Sequence, residues 1–254
     1  MQSDLNYDYI SQVLLKVGRI MIENGAETTR AEDTMKRIAR QAGVSDLEVF
    51  STLTGIVIGI NKVDKTAVIQ IYSRATNMER IVAINDLSRK FTAGKITFDE
   101  LACGVNRVEK HVPDFSWWLK GIAAFMISGG LMILFSPETA NWDDFIPAGV
   151  IGMLGYLTST FLHRFYKMQF ISDFVASFLI GLLAFIALKL NLVVSFNGVI
   201  IGAIMPLVPG IIIMNALRDM LAGHLLSGLV RFIEAVLTFI FIGAGLGLVL
   251  RFFR

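Results

Sequence analysis

Cysteine is almost missing. Cys103 stands alone among 254 residues, so no internal disulfide can form and the redox compartment cannot be read from it. A lone free cysteine is expected to be a small, buried apolar residue, and His111, eight positions on, makes no nucleophile pair with it. Histidine is equally scarce, with three in all. No His, Cys, Asp or Glu run has metal-ligand spacing, and no glycine-rich phosphate loop occurs. The expectation is a protein with no cofactor, no bound metal and no enzymatic centre. Basic residues form no dominant patch and the net charge is only +2, so nucleic acid is not an expected partner. The N-terminus lacks the charged-then-apolar pattern of a signal peptide, which leaves the first domain in the cytoplasm.

Charge itself is missing from the second half. Residues 1–115 hold 15 of the 23 Lys and Arg and 15 of the 21 Asp and Glu, while the remaining 139 residues hold eight and six. With 54% hydrophobic residues and a mean hydropathy of +0.63, the chain is too apolar for an ordinary soluble protein. The charge boundary near Pro113 divides it into a charged domain, 1–113, and a membrane domain, 114–254.

In the first domain, Ile10, Val13, Leu14, Val17, Ile20 and Met21 recur at helical spacing over 7–23, and Asn24-Gly25 supplies a stop. Thr29 and Glu32 fit a capping box that opens a second helix to about Gln41. Glu27 precedes it, either as a partner of the helix dipole or as a functional acid. Residues 46–72 change to strand character in three runs, with Asn61 to Lys65 as a turn, and predict a short antiparallel sheet. Helical spacing returns over 77–93, and Thr97 with Glu100 opens another helix to about Lys110. The expected product is a cytoplasmic α+β domain.

Trp117 and Trp118 sit where interfacial aromatic anchors belong. Five spans follow, centred on 119–135, 145–163, 171–189, 198–216 and 230–250, several of them near the short limit of about 17 residues. Each is rich in Gly or Ala, which lets helices approach closely in lipid. The fourth is broken by Pro206, Pro209 and Gly210. In hydrocarbon the backbone groups freed by such a break need protein or a wet cavity to satisfy them. A ligand site and a packing kink both fit. In the first case the N–H groups at Gly210, Ile211 and Ile212 make an anion site at the start of a half-helix with Pro209 as its first residue. Asn215 would then lie within reach of a hydroxyl or amino group, and Asp219 of an ammonium group. Asp173, Arg231 and Glu234, ionisable groups within or beside spans, read either as coupling or gating residues or, for Arg231 and Glu234, as a local i, i+3 ion pair. The cation-poor loop 136–144 and the cation-bearing segments around Arg164 and Arg218 put the N-terminus inside and the C-terminus outside.

The GAETTR segment, the MPLVPG break and the following NALRDMLAGHLLSGLVRFIEA together resemble the threonine/serine exporter family, and more closely its split form in which two halves are separate proteins. The resemblance implies secondary export of small amino acids across the cytoplasmic membrane, or of dicarboxylates as in a split-form relative. It singles out Gly25, Glu27, Pro206, Pro209, Gly210, Asn215, Asp219, Gly223, Gly228 and Arg231. Full-length members continue into a second membrane half where this chain ends at Arg254. The implied partners are therefore a small carboxylate-bearing metabolite, the bilayer, and a second membrane subunit of the same family or further copies of this chain. A membrane-anchored sensor, with the first domain binding a cytosolic ligand, is the alternative that needs no break in a span. A membrane-embedded enzyme lacks a nucleophile.

Overall fold

Helix α1 (Tyr7–Glu23) is the centre of the first half of the chain. Its polar residues Asp8, Gln12, Lys16, Arg19 and Glu23 share one stripe and apolar residues cover most of the remaining surface, so it is buried on several sides. Leu14, Val17 and Met21 are all inaccessible. Around it pack α2 (Thr28–Gln41), a sheet of β1 (Leu47–Ser51), β2 (Gly55–Ile60) and β3 (Lys65–Gln70), then α3 (Met78–Thr92) and α4 (Phe98–His111). The sheet is antiparallel in the order β1-β2-β3, with Val49 opposite Ile58 and Ile58 opposite Ala67. The alternation in β2 turns Ile56, Ile58 and Ile60 into the core, where they join Met35, Ile38, Ile84 and Leu101. This is a computed structural model, and it describes residues 6–72, 75–111, 115–135 and 142–253.

The expected stops and strands form. Gly25 takes φ +92°, its N–H donates to Ile22 and that of Ala26 to Met21, a Schellman motif that satisfies the last carbonyls of α1. Thr97 and Glu100 make their reciprocal cap: Thr97 N donates to Glu100 Oε2 (2.7 Å) and Glu100 N to Thr97 Oγ1 (3.3 Å). The other capping box does not form. Helix α2 starts at Thr28 with Glu27 before it, two residues earlier than a cap at Thr29 implies, and Glu32 turns to the sheet, where its Oε1 accepts from Ser51 N (3.2 Å) and Ser51 Oγ (2.7 Å). A buried carboxylate takes the partners that neutralise it best, and the strand supplies two. Cys103 is exposed, not buried, because α4 turns Leu101, Ala102 and Val105 inward instead.

Four later helices are long and apolar enough to cross a membrane: α5 (Trp117–Phe135), α6 (Phe145–Tyr166), α7 (Gln169–Lys189) and α10 (Leu225–Phe253). The bent pair α8 (Phe196–Ile204) and α9 (Gly210–Leu221) makes up to five if it counts as one span. By contacts the chain forms two units. One is Met1–Asp114 with Ile211–Phe232; the other is Phe115–Gly210 with Ile233–Arg254. The first thus takes in α9 and the start of α10, segments that hydropathy alone assigned to the membrane half.

In the second unit, glycines set the helix spacing. A Cβ at Gly152 would run into Ser128, one at Gly202 into the Ser128 carbonyl and Met132, and one at Gly155 into Ile180. Asp144, fully buried, accepts from Val194 N (2.8 Å) and Ser195 N (2.7 Å), which pins the loop before α8 to the start of α6. Trp117, Trp118 and Trp142 are all exposed, as interfacial aromatics are.

Candidate functional site

Two glycine-ended helices of the first unit bring the GAET segment and the stretch after the proline break together. Helix α9 ends as α1 does. Gly223 has φ +89°, its N–H donates to Met220, and that of His224 donates to Asp219 O. Only glycine takes that backbone region without strain. The reversal lets α10 return against α9, and Gly228 lies so close that a Cβ there would stand 2.8 Å from the Ala216 carbonyl. These contacts account for Gly25, Gly223 and Gly228.

The polar residues on the inner side of this hairpin bond to residues 25–28. Asn215 Nδ2 donates to Gly25 O (2.8 Å). Asp219 Oδ1 accepts from Thr28 N (2.9 Å), and its Oδ2 accepts from Thr28 Oγ1 (3.2 Å) and Arg231 Nε (3.1 Å). Arg231 also donates through NH2 to Ala26 O (2.7 Å). Asp219 is 0% exposed and Arg231 5%. Two opposite charges at that depth are tolerated only as a pair with further hydrogen bonds. The carboxylate has a second role. Glu27, the residue before α2, makes no side-chain cap, and Asp219 from 191 residues away supplies the acceptor at the start of that helix. A negative group there also meets the positive end of the helix dipole.

The rim is more exposed. Arg218 NH1 lies 2.5 Å from Glu27 Oε1, with side-chain exposures of 57% and 23%. Such a pair is screened and contributes little, about 0–1 kcal/mol. His224 Nε2 is 3.9 Å from Glu32 Oε2.

The break is sharper than the sequence implied. Met205–Leu207 forms one tight turn, Val208 is extended (ψ 126°), and α9 begins at Gly210, not Pro209. The N–H of Gly210 is not free, since it donates to Val208 O at 2.9 Å. The next two N–H groups, of Ile211 and Ile212, have no partner available within an α-helix that starts there. Pro206, Pro209, Gly210 and Ile211 therefore gather at the break, while Asn215, Asp219, Arg231 and Glu27 gather at the GAET segment.

Asp173 takes part in neither set of contacts. On α7 in the second unit, 6% exposed, it accepts from Ser159 Oγ of α6 at 2.8 Å. Glu234, on α10, is in the second unit as well. Sequence reasoning missed Thr28, Ala26 and Ser51. Nothing local flags them, because their partners lie far along the chain or act through backbone atoms. Among the described residues no group of three or more His, Cys, Asp or Glu could hold a metal ion.

Residues 12–253 match the family model described as Putative threonine/serine exporter. No curated protein matches the chain, and no solved structure does. With its apolar helices and nearly full-length match, the protein is a multi-pass membrane protein. Both of the segments brought together at Asp219, GAET and the stretch through Arg231, lie inside the matched range, and the chain belongs to the threonine/serine exporter family, a family of transporters.

Proposed function

We propose that this chain is one subunit of a secondary exporter that carries threonine, serine and similar small carboxylate-bearing metabolites out across the cytoplasmic membrane. The observation that carries the reading is the break at Val208-Pro209 between α8 and α9, a pair apolar enough together to count as one span. An anchor or a sensor needs no such interruption. The N–H groups of Ile211 and Ile212, which lack intrahelical partners at this helix start, have the helix dipole behind them and suit a substrate carboxylate that must bind and then leave. Pro206 and Pro209 hold the break open, and the missing side chain of Gly210 lets a ligand approach the backbone. Asn215 and Asp219 then serve as positioning residues, fixing α9 through Gly25 and Thr28. A dicarboxylate would use the same N–H groups, so succinate belongs in the same assay. Asp173 and Glu234 are the acids proposed to carry coupling, with Arg231 and Glu27 gating the α9 contact.

The proposed subunit works with a second membrane half, in keeping with the split form that the sequence resembles. Inverted halves around a midplane site are a common transporter design.

The test is efflux from liposomes holding this chain with its partner half. A Cβ at Gly210 meets nothing within 4 Å, so a side chain can start there without a clash, and Gly210→Leu sets its bulk beside the N–H groups. Losing a charge-assisted hydrogen bond of about 1.5–3 kcal/mol predicts threonine efflux lower by roughly 10- to 100-fold at normal protein levels. Wild-type efflux by that variant would reduce the break to a packing kink.

Orientation is tested separately. With Cys103 replaced by serine, a cysteine at position 140 is expected to react with an impermeant thiol reagent from outside and one at position 166 is not. The reverse pattern would invert the topology.

A further inference from the structure

The hairpin of α9 and the first two turns of α10 is built inside out. Facing the rest of the first unit are Asn215, Asp219 and Arg231, with the small residues Ala216, Ser227 and Gly228. Facing away are Ile211, Met214, Leu217, Leu221, Leu225 and Leu229, each at least 46% exposed and Leu221 88%. In α9 the outward four fall at i, i+3, i+6 and i+10, one side of a helix, and Asn215 and Asp219 fall on the other. A hairpin meant for water would carry the opposite distribution, because leaving so many large apolar side chains in water forgoes most of the free energy that burial provides.

We propose that this outer face is seated in the lipid bilayer, with acyl chains against its leucines and the polar inner face bonded to residues 25–28. The unit read from the sequence as a cytoplasmic domain is thereby held at the membrane by its own helical hairpin. Two observations favour lipid over a protein partner. Helix-to-helix contacts in membranes use small residues and inter-helix hydrogen bonds, and here Ala216, Ser227 and Gly228 with Asn215, Asp219 and Arg231 point inward. What remains outside is mostly long and aliphatic, and the one cation among it, Arg218, is paired to Glu27. The face also continues along one unbroken helix, since α10 runs for 29 residues to Phe253. At 1.5 Å per residue that is about 43 Å, well beyond the roughly 30 Å that hydrocarbon requires. The proposal concerns where the hairpin lies and holds whether or not the chain transports threonine.

The test uses the full chain with Cys103→Ser and one cysteine at a time at Met214, Leu221 or Leu225, spin-labelled and reconstituted in lipid nanodiscs. All three side chains are more than half exposed, so none of these changes removes packing. A label at Arg37 on α2, whose side chain is 59% exposed, is the aqueous reference. Collision with oxygen, which partitions into lipid, is compared with collision with a water-soluble nickel chelate. The expected result is an oxygen-to-nickel ratio several-fold higher at all three hairpin positions than at Arg37. A ratio equal to that of Arg37 would put the face in water. Low collision with both reagents and an immobilised spectrum would mean that a protein partner or a second copy covers it. Either outcome overturns the proposal.

Discussion

Asp219→Ala is expected to destabilise the first unit by about 3–5 kcal/mol, the range for removing one partner of a buried ion pair. The substitution takes the carboxylate from Arg231, which is 5% exposed, and the acceptor from Thr28 N at the first turn of α2. Loss of the cap alone is worth about 1 kcal/mol. The measurement is denaturant or thermal unfolding of the purified chain in one detergent. Arg218→Ala is the comparison. It breaks a contact to Glu27 whose arginine is more than half exposed, so its effect should stay below about 1 kcal/mol. The double variant Asp219→Leu with Arg231→Met should recover much of the loss, because a buried pair replaced whole by apolar residues of similar size is often neutral. A cost for Asp219→Ala no larger than that for Arg218→Ala would show that the pair is not holding α9 to the GAET segment.

The second large effect is expected from glycines in the second unit. An added Cβ at Gly245 would collide with the Phe174 carbonyl and Ser177 Oγ and lie 3.0 Å from Phe178 N. One at Gly202 would collide with the Ser128 carbonyl and stand 2.5 Å from Met132 Cβ. Most of these neighbours are backbone or Cβ atoms, which cannot rotate away, so relief requires two helices to separate. Overpacking of this kind costs about 1–3 kcal/mol, occasionally more. Gly245→Ala and Gly202→Ala should therefore lower the melting temperature or the folded yield clearly. Gly243→Ala and Gly247→Ala are the controls on α10. Nothing lies within 4 Å of a Cβ at either, and alanine is the better helix former by about 1 kcal/mol. If all four variants melt alike, glycine is not setting the helix spacing.

Much of the architecture was legible because local chemistry produces it. Helix α1 and its stop follow from spacing and from Asn24-Gly25. The three strands follow from β-branched runs, and the Thr97–Glu100 cap from a four-residue pattern. The apolar spans, the proline break and the family resemblance are likewise properties of short stretches of sequence. Where local patterns competed with distant partners, they misled. Thr29 and Glu32 match a capping box, yet Ser51 on β1 outbids the local N–H groups for the Glu32 carboxylate. Pro209 has the form of a first helical residue, but the turn of Val208 and the Gly210 N–H starts α9 one residue later.

Sequence alone determined that this chain has an α+β part and apolar helices long enough for a membrane, that one helix is interrupted, and which residues near the interruption to suspect. Each of these is written in composition, period or breaker residues within some twenty positions. Tertiary structure alone decided what Asp219 and Arg231 are for. Their partners, Thr28 and Ala26, lie 191 and 205 residues away, and two of the three bonds to them end on backbone atoms that no side-chain pattern advertises. It also decided that α9 and the start of α10 belong with the N-terminal unit. Hydropathy counts apolar residues but is blind to which side of a helix they occupy, and here the polar side is the buried one.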